Sequence, residues 1–372
     1  MSQSARPQVA ISSERISDRT VWTFIRLRED GCTGIGEATL EGRHAAVEAA
    51  SHKWGVALSD RFSPLDNRSL SWIGQQAQSA QSLVEATALS GLEQALQDLL
   101  ARKAGRSLHQ CLGHARRDLI PLYANINRGT VPRTPQRFAE RALRAASQGF
   151  SAVKLAPFDG VDPANASGTA GRALIETGLA RIAAVRDALA SDHPDVEIMV
   201  DCHWRFDEAT ARDMVRELAS LGVTWYECPV PETSDHHAVI KTLRVLSNAA
   251  GMRLAGAETM IGLAGFEPFL RGGLYDVVMP DVKHAGGVSA VLEIARASAA
   301  FGIACSPHNP TGPICHAHSL HAAALIDNMP CLEVQFEESD RFFSLADDRL
   351  PRFLRGTSAL PAGPGLGVGL IT

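Results

Sequence analysis

What most constrains this 372-residue chain is a repeat: from Leu122 onward, eight short apolar runs alternate with amphipathic stretches, and acids or histidines stand where the runs stop. The runs are LYANIN, FSAVKLAPF, VEIMVDCHW, VTWYECPV, MRLAGAE, YDVVMPDV, FGIACSPH and CLEVQF. Between most of them lie segments of helical periodicity, such as ETGLARIAAVRDALA, DEATARDMVRELASLG and GGVSAVLEIARASAAFG. Near-continuous apolar strands separated by helices predict parallel strands buried on both faces. Eight of them predict an α/β fold closed into a barrel, with its chemistry at the C-terminal ends of the strands. An open doubly wound sheet is the rival, but no glycine-rich dinucleotide loop follows any run.

Before Leu122 the texture differs. TVWTFIRLRE and GIGEATL read as strands around the turn EDGCTG, and GRHAAVEAASHKWGVALSDRF reads as a helix. After a polar linker, SAQSLVEATALSGLEQALQDLLARKAG reads as a second helix closed by glycine. A small α+β domain is expected here. VAISSERISDRT, LEGRHAAVEAA and the barrel segment FDGVDPANASGTAG are expected to be mobile loops that set specificity. The formal charge of -5 argues against a nucleic-acid surface, which carries a basic excess. Seven scattered cysteines without CxxC spacing read as free thiols in a reducing compartment. No stretch approaches the length of a membrane span and the first residues lack a secretory apolar core, so a cytoplasmic location is expected.

The strand ends carry the chemistry. Asp201, Glu227 and Glu258 close the third, fourth and fifth runs. Three carboxylates at one barrel mouth raise one another's pKa unless a cation compensates. Oxygen donors without cysteine or histidine favour Mg²⁺, with Mn²⁺ next. Asp201 and His203 are two apart, hence on one face of a strand. VVMPDVKHAGG, CSPHNPTGP and LEVQFEES add Asp281, His308 and Glu333. On adjacent strands, Asp281 can accept a hydrogen bond from one nitrogen of His308 and leave the other as a base. His203 and Lys154 are expected to face this pair across the barrel. Plainer readings stand beside these: Lys154 as a snorkelling lysine, Pro307 and Pro310 as stiffeners of a loop, Trp204 as packing and Arg205 as an ion-pair partner.

Taken together, GIGEATLEG, GLEQALQDLLARKAGRSLHQCLG, PDVKHAGG, SPHNPTGPI and PAGPGLGV carry a resemblance along nearly the whole chain. The sequence resembles the enolase superfamily in its mandelate racemase branch, and is most similar to acid-sugar dehydratases of the galactonate dehydratase kind. The resemblance implies a modified TIM barrel, (β/α)7β, over 120-338. It implies an N-terminal α+β capping domain over 1-115, completed by 340-372. It places Mg²⁺ ligands on Asp201, Glu227 and Glu258 and the acid-base pair on Asp281 and His308. Glu333 falls on the residue that hydrogen-bonds the substrate carboxylate or the developing enolate, and His203 on the dehydratase acid. A homo-oligomer acting on a small carboxylate is implied as well. One departure bears on the reaction: where racemases and cycloisomerases have Lys-x-Lys on the second strand, this chain has Lys154 and then Ala156. A methyl group cannot move a proton. The expected reaction is therefore Mg²⁺-dependent dehydration of an aldonate or aldarate to a 2-keto-3-deoxy acid, with racemase, epimerase or cycloisomerase chemistry as the alternative. Lys154 is expected to offset carboxylate charge, and Trp204 and Arg205 to touch the sugar chain.

Overall fold

In the computed structural model, which describes residues 6–371, the chain opens with three antiparallel strands, β1 (Gln8–Arg15), β2 (Val21–Glu29) and β3 (Cys32–Glu37), in that spatial order. The ends of the expected capping domain, residues 1–5 and 372, lie outside the described residues. Strand β1 corrects the reading of VAISSERISDRT as a loop. Gln8, Ala10 and Ser12 are exposed on one face while Val9 and Ile11 pack half-buried on the other, so the exposed side of an edge strand hides the apolar one. Helices α1 (His44–Arg61), α2 (Asn67–Gln78), α3 (Leu83–Lys103) and α4 (Leu108–Leu112) follow. LEGRHAAVEAA runs mostly into α1. The expected polar linker contains α2, started by an Asp66 capping box and held by Ser69, Ile73 and Ala77 on one buried stripe. Only Leu70, Trp72, Ile73 and Ala77 are apolar in NRSLSWIGQQAQ, so the segment reads as polar although its buried residues keep helical spacing.

Each of the eight apolar runs holds one barrel strand: β4 (Leu119–Asn125), β5 (Ala152–Leu155), β6 (Glu197–Asp201), β7 (Val223–Glu227), β8 (Arg253–Gly256), β9 (Val277–Val278), β10 (Ala304–Cys305) and β11 (Leu332–Gln335). The helices between them are α5 (Pro135–Ser147), α6 (Thr169–Leu189), α7 (Glu208–Ser220), α8 (His237–Ala249), α9 (Gly262–Gly272), α10 (Val288–Ala300) and α11 (Pro313–Ala323). The strands are parallel in the order β11-β4-β5-β6-β7-β8-β9-β10. Side chains bridge the seam between β10 and β11, where Ser306 Oγ donates to the Cys331 carbonyl at 2.7 Å. Tyr123, Ala152, Met199, Trp225, Ala255, Val277 and Met279 fill the interior, so the barrel is a packed core with its chemistry above it. After β11 come the short α12 (Arg341–Ser344) and β12 (Thr357–Ala359), which pairs antiparallel with β4. With no eighth barrel helix among the described residues, a cavity of about 600 Å³ remains beside β11, walled by Trp22, Phe336, Phe342, Phe343 and Phe353. None of the strand-end acids lines it.

Two carboxylates join the N-terminal elements to the barrel. Glu93 of α3 accepts from the backbone amides of Val288 (2.9 Å) and Ser289 (3.1 Å) at the start of α10. Glu37 of β3 accepts from the amides of Gly312 (2.8 Å) and Cys315 (3.0 Å) at the start of α11. The N-cap positions of these helices are Gly287 and Gly312, which have no side chain to offer, so acids from elsewhere in the chain satisfy the orphan amides and meet the positive helix ends. Gly287 has φ +88, and a Cβ there would run into the Glu93 carboxylate. The same sheet packs on the end of the chain, with Trp22, Phe24 and Ile35 in one cluster with Phe342, Leu345 and Leu366.

Helix α11, PICHAHSLHAA, is buried along its whole length. Burial drives His316 and His318 down to about 3 and His321 to about 4. All three have depressed pKa values for a base, so the unfolded chain takes up protons first as pH falls below about 6.5, and each buried imidazole then removes about 1.4 kcal/mol of stability per pH unit. His318→Gln, which keeps a donor for the Ile35 carbonyl, should flatten the fall in urea-derived stability between pH 6.5 and 5 by one histidine's share. An unchanged slope would mean that His318 is not held neutral in the folded protein.

Candidate active site

At the mouth of the barrel, Asp201 is the last residue of β6, Glu227 the last of β7, and Glu258 lies two residues beyond β8. The β6–β7 ladder pairs Asp201 with Glu227, so adjacent parallel strands deliver their terminal acids side by side. Each of the three offers an oxygen within 4.8 Å of the others, and all three are buried. Among the described residues they form the one cluster of three or more such side chains suited to a metal ion. Burial drives the Glu227 carboxyl up to about 8, against the pull of Lys154 and with the push of Asp201 and Glu333. Burial and the charges of Asp201 and Glu227 push Glu258 well up too, and its Oε2 accepts no hydrogen bond. Burial acts in the same direction on Asp201, but His203 beside it holds that carboxyl at about 2. A desolvated, crowded set of hard oxygens with an orphaned acceptor fits a divalent cation such as Mg²⁺.

Asp281 and His308 follow β9 and β10. Asp281 Oδ2 lies 2.7 Å from His308 Nδ1, while Nε2 points the other way, 3.4 Å from Glu258. A lysine reaches the same oxygen: Lys283 Nζ donates to Asp281 Oδ2 at 2.7 Å, and its backbone amide donates to Oδ1. Burial opposes ionisation of Asp281, but Lys283, His284 and His308 hold its carboxyl far below the usual range. Glu333 sits within β11, opposite Tyr123, and not at the strand end. It accepts from Asn125 Nδ2 (2.7 Å) and the Asn309 amide (3.0 Å), and Lys154 Nζ lies 3.0 Å away. Burial would raise this carboxyl, yet Lys154, His308 and those donors hold it at about 2. Lys154 also meets Glu227 at 2.6 Å, which makes it a buried bridge between two acids. The snorkelling alternative is therefore corrected, since Lys154 is 1% exposed.

His203 is partly exposed, with Nε2 2.6 Å from Asp201 Oδ2. Burial lowers its pKa, but the Asp201 charge prevails and raises it. His203 and Trp204 both have positive φ, +48 and +57, a backbone cost that is commonly held at functional sites. Trp204 and Arg205 line the cavity, and Arg205 donates to the Val161 carbonyl at 3.0 Å.

Asp201, His203, Glu258, Lys283 and His308 line a cavity of about 430 Å³, with Thr39, Leu40 and Glu41 in its wall, whereas Lys154, Glu227, Asp281 and Glu333 lie behind that lining. Of the expected specificity segments, the first contributes Arg19 and the second Leu40 and Glu41; no residue of FDGVDPANASGTAG lines the cavity. The reading of the sequence passed over Lys283, His284, Asn125 and Asn309. Lys283 was within reach, because it stands two residues from Asp281, the same spacing that drew attention to His203. Asn125 and Asn309 carry no such mark; the β4–β11 pairing brings the first to Glu333, and the loop after β10 brings the second.

Comparison with known proteins agrees with this architecture. Residues 137–371 match the family described as enolase C-terminal domain-like, and residues 3–113 match the mandelate racemase / muconate lactonizing enzyme N-terminal domain. A D-gluconate dehydratase of Thermoproteus tenax is 30% identical over 91% of this chain, which spans 66% of that enzyme's length. A D-galactonate dehydratase of Variovorax paradoxus (strain S110) is 28% identical over 93% of this chain and 88% of its own. The crystal structure of a mandelate racemase/muconate lactonizing enzyme from Jannaschia sp. CCS1 superposes with a TM-score of 0.82 at 24% identity, covering 98% of this chain and 94% of that one. With both parts matched and a curled parallel sheet carrying the acids, the chain belongs to the mandelate racemase/muconate lactonizing enzyme family of the enolase superfamily.

Proposed function

We propose that this enzyme dehydrates a sugar acid, an aldonate or aldarate, to its 2-keto-3-deoxy acid. The observation that carries the reading is the pairing of one built base, His308 on Asp281, with His203 on a different strand end, while Ala156 stands buried where a second strand-two lysine would be. The dehydratase names of the relatives support it.

Asp201, Glu227 and Glu258 would hold Mg²⁺, with Mn²⁺ as a substitute. When bound, the cation supplies positive charge for a substrate carboxylate and its α-hydroxyl. Asp281 accepts the Nδ1 proton of His308, fixing the tautomer whose Nε2 is free to take the α-proton. Lys283 shares that Asp281 oxygen and keeps the carboxylate ionised. As the α C–H bond breaks, negative charge gathers on the carboxylate oxygens, which Lys154 offsets from beneath, while the ionised Glu333 holds that lysine in place. His203 gives a proton to the departing 3-hydroxyl, which leaves as water, and the resulting enol takes a proton at C3 to become the ketone. Trp204 and Arg205 stand where they can touch the sugar chain.

On the same reading, residues 1-115 with 340-372 act as the cap and 120-338 as the catalytic barrel, in a cytoplasmic homo-oligomer. Proton NMR in D₂O with Mg²⁺ and a panel of aldonic and aldaric acids tests the reaction. Formation of a 3-deoxy keto acid is expected; exchange of the α-proton with return of a hydroxy acid would establish epimerase chemistry instead.

A further inference from the structure

We infer that Glu232, in the loop after β7, is a positioning residue that holds the ends of β6, β7 and β8 so that Asp201, Glu227 and Glu258 converge on one point. The inference rests on the reading of those acids as a cation site, and it concerns a residue that does not itself line the cavity.

Backbone strain is concentrated at this mouth. Of the seven residues other than glycine with positive φ among the described ones, four stand within three positions of the acids: His203 (φ +48) and Trp204 (φ +57) after Asp201, Cys228 (φ +45) after Glu227, and Ala257 (φ +72) before Glu258. Such conformations persist only where the surroundings hold them. Glu232 reaches three of the four. Its Oε1 accepts from the Ala257 amide at 2.6 Å, and the Cys228 thiol lies 3.9 Å from the same oxygen. The Trp204 indole hydrogen-bonds to this carboxyl group as well, and the Trp204 amide donates to the Cys228 carbonyl at 2.6 Å. One side chain thus joins the turns that carry all three acids.

The carboxyl group is itself anchored and given room. Tyr275, fully buried just ahead of β9 and stacked on Phe269, donates its hydroxyl to Oε1 at 2.7 Å. Gly256 ends β8, and a Cβ there would come within 2.4 Å of that oxygen and 2.6 Å of the Tyr275 ring. A carboxylate suits the place because one charged oxygen can serve several donors at once. Mg²⁺ tolerates little departure from octahedral geometry at about 2.1 Å, so small shifts of the three strand ends are felt in its affinity.

The test is calorimetric Mg²⁺ binding to the full chain without substrate, set beside amide exchange of the metal-free protein read by mass spectrometry. Glu232→Ala should weaken Mg²⁺ binding by about 10- to 100-fold. It should also speed exchange in the peptides containing residues 203–204, 228 and 257 while the rest of the barrel keeps its protection. Glu232→Gln keeps an acceptor at Oε1 and should bind Mg²⁺ within about threefold of the wild type. Tyr275→Phe takes one donor from Glu232 and leaves the strand ends untouched; it should weaken binding by about two- to fivefold, and it carries the test should Glu232→Ala fail to fold. Unchanged Mg²⁺ affinity with a general rise in exchange is the signature of a merely structural role and would overturn the assignment. A loss in Glu232→Gln as large as that in Glu232→Ala would overturn it too, because the residue would then act through its charge. A wild type that binds neither Mg²⁺ nor Mn²⁺ would sink the cation reading instead, and the exchange pattern of Glu232→Ala would still decide whether Glu232 holds the strand ends.

Discussion

His308→Asn is expected to lose both dehydration and exchange of the substrate α-proton, by about 10² to 10⁴ in rate, because the imidazole that Asp281 holds with Nε2 turned to the cavity is gone. Lys283 is tied to Asp281, and Lys154 is held between Glu227 and Glu333. His203→Asn should lose dehydration far more than exchange, since the base, Asp281 and the carboxylate cluster stay in place. Removing an acid raises only the barrier of the step in which the leaving group needs its proton. A 3-deoxy-3-fluoro substrate separates the two roles, because fluoride departs without protonation. Fluoride release should recover in His203→Asn and stay absent in His308→Asn. Recovery in His308→Asn, or equal damage to both, would mean that base and acid are reversed or that a lysine is the working base.

The second large effect concerns Glu227. It lies between Asp201 and Lys154, with Trp225 Nε1 donating to its other oxygen at 2.6 Å, so it stands at the centre of the acid cluster. Glu227→Ala should reduce turnover to the level of metal-free protein, because two carboxylates and an alanine no longer make a three-oxygen site. A readout independent of activity is thermal denaturation. Mg²⁺ at a hundredfold excess over its Kd should stabilise the wild type by about 2.7 kcal/mol and the variant hardly at all. Wild-type activity that persists after chelation, or a Glu227→Ala variant that Mg²⁺ stabilises as well as the parent, would remove the cation from the site.

The barrel could be read from the sequence because parallel strands are buried on both faces, and so appear as unbroken apolar runs even where, as at β9 and β10, the ladder is two residues long. The acids stood out for the same reason, as single charges at the ends of apolar runs. β1 and α2 did not, since an edge strand presents a polar outer face and α2 has only Leu70, Trp72, Ile73 and Ala77 as apolar residues, so its composition reads as a linker. The polar links around the site were hidden for a different reason. Asn309 reaches Glu333 and Glu37 reaches Gly312 across 24 and 275 residues of chain, and no local pattern encodes such pairs.

The borrowed helix caps bear on how such proteins could be recombined. Because α10 and α11 begin on the carboxylates of Glu93 and Glu37, the barrel does not contain everything needed to terminate its own helices. A chimera that grafts a foreign front segment onto this barrel must therefore bring an acid to each of two fixed places, and the glycines at 287 and 312 leave no local substitute. A graft matched only in its substrate-facing residues would express as a barrel with two frayed helices, at the very loops that carry Lys283 and His308. In this protein, inheritance of new specificity and inheritance of a folded catalytic face are coupled through two side chains that touch neither substrate nor metal.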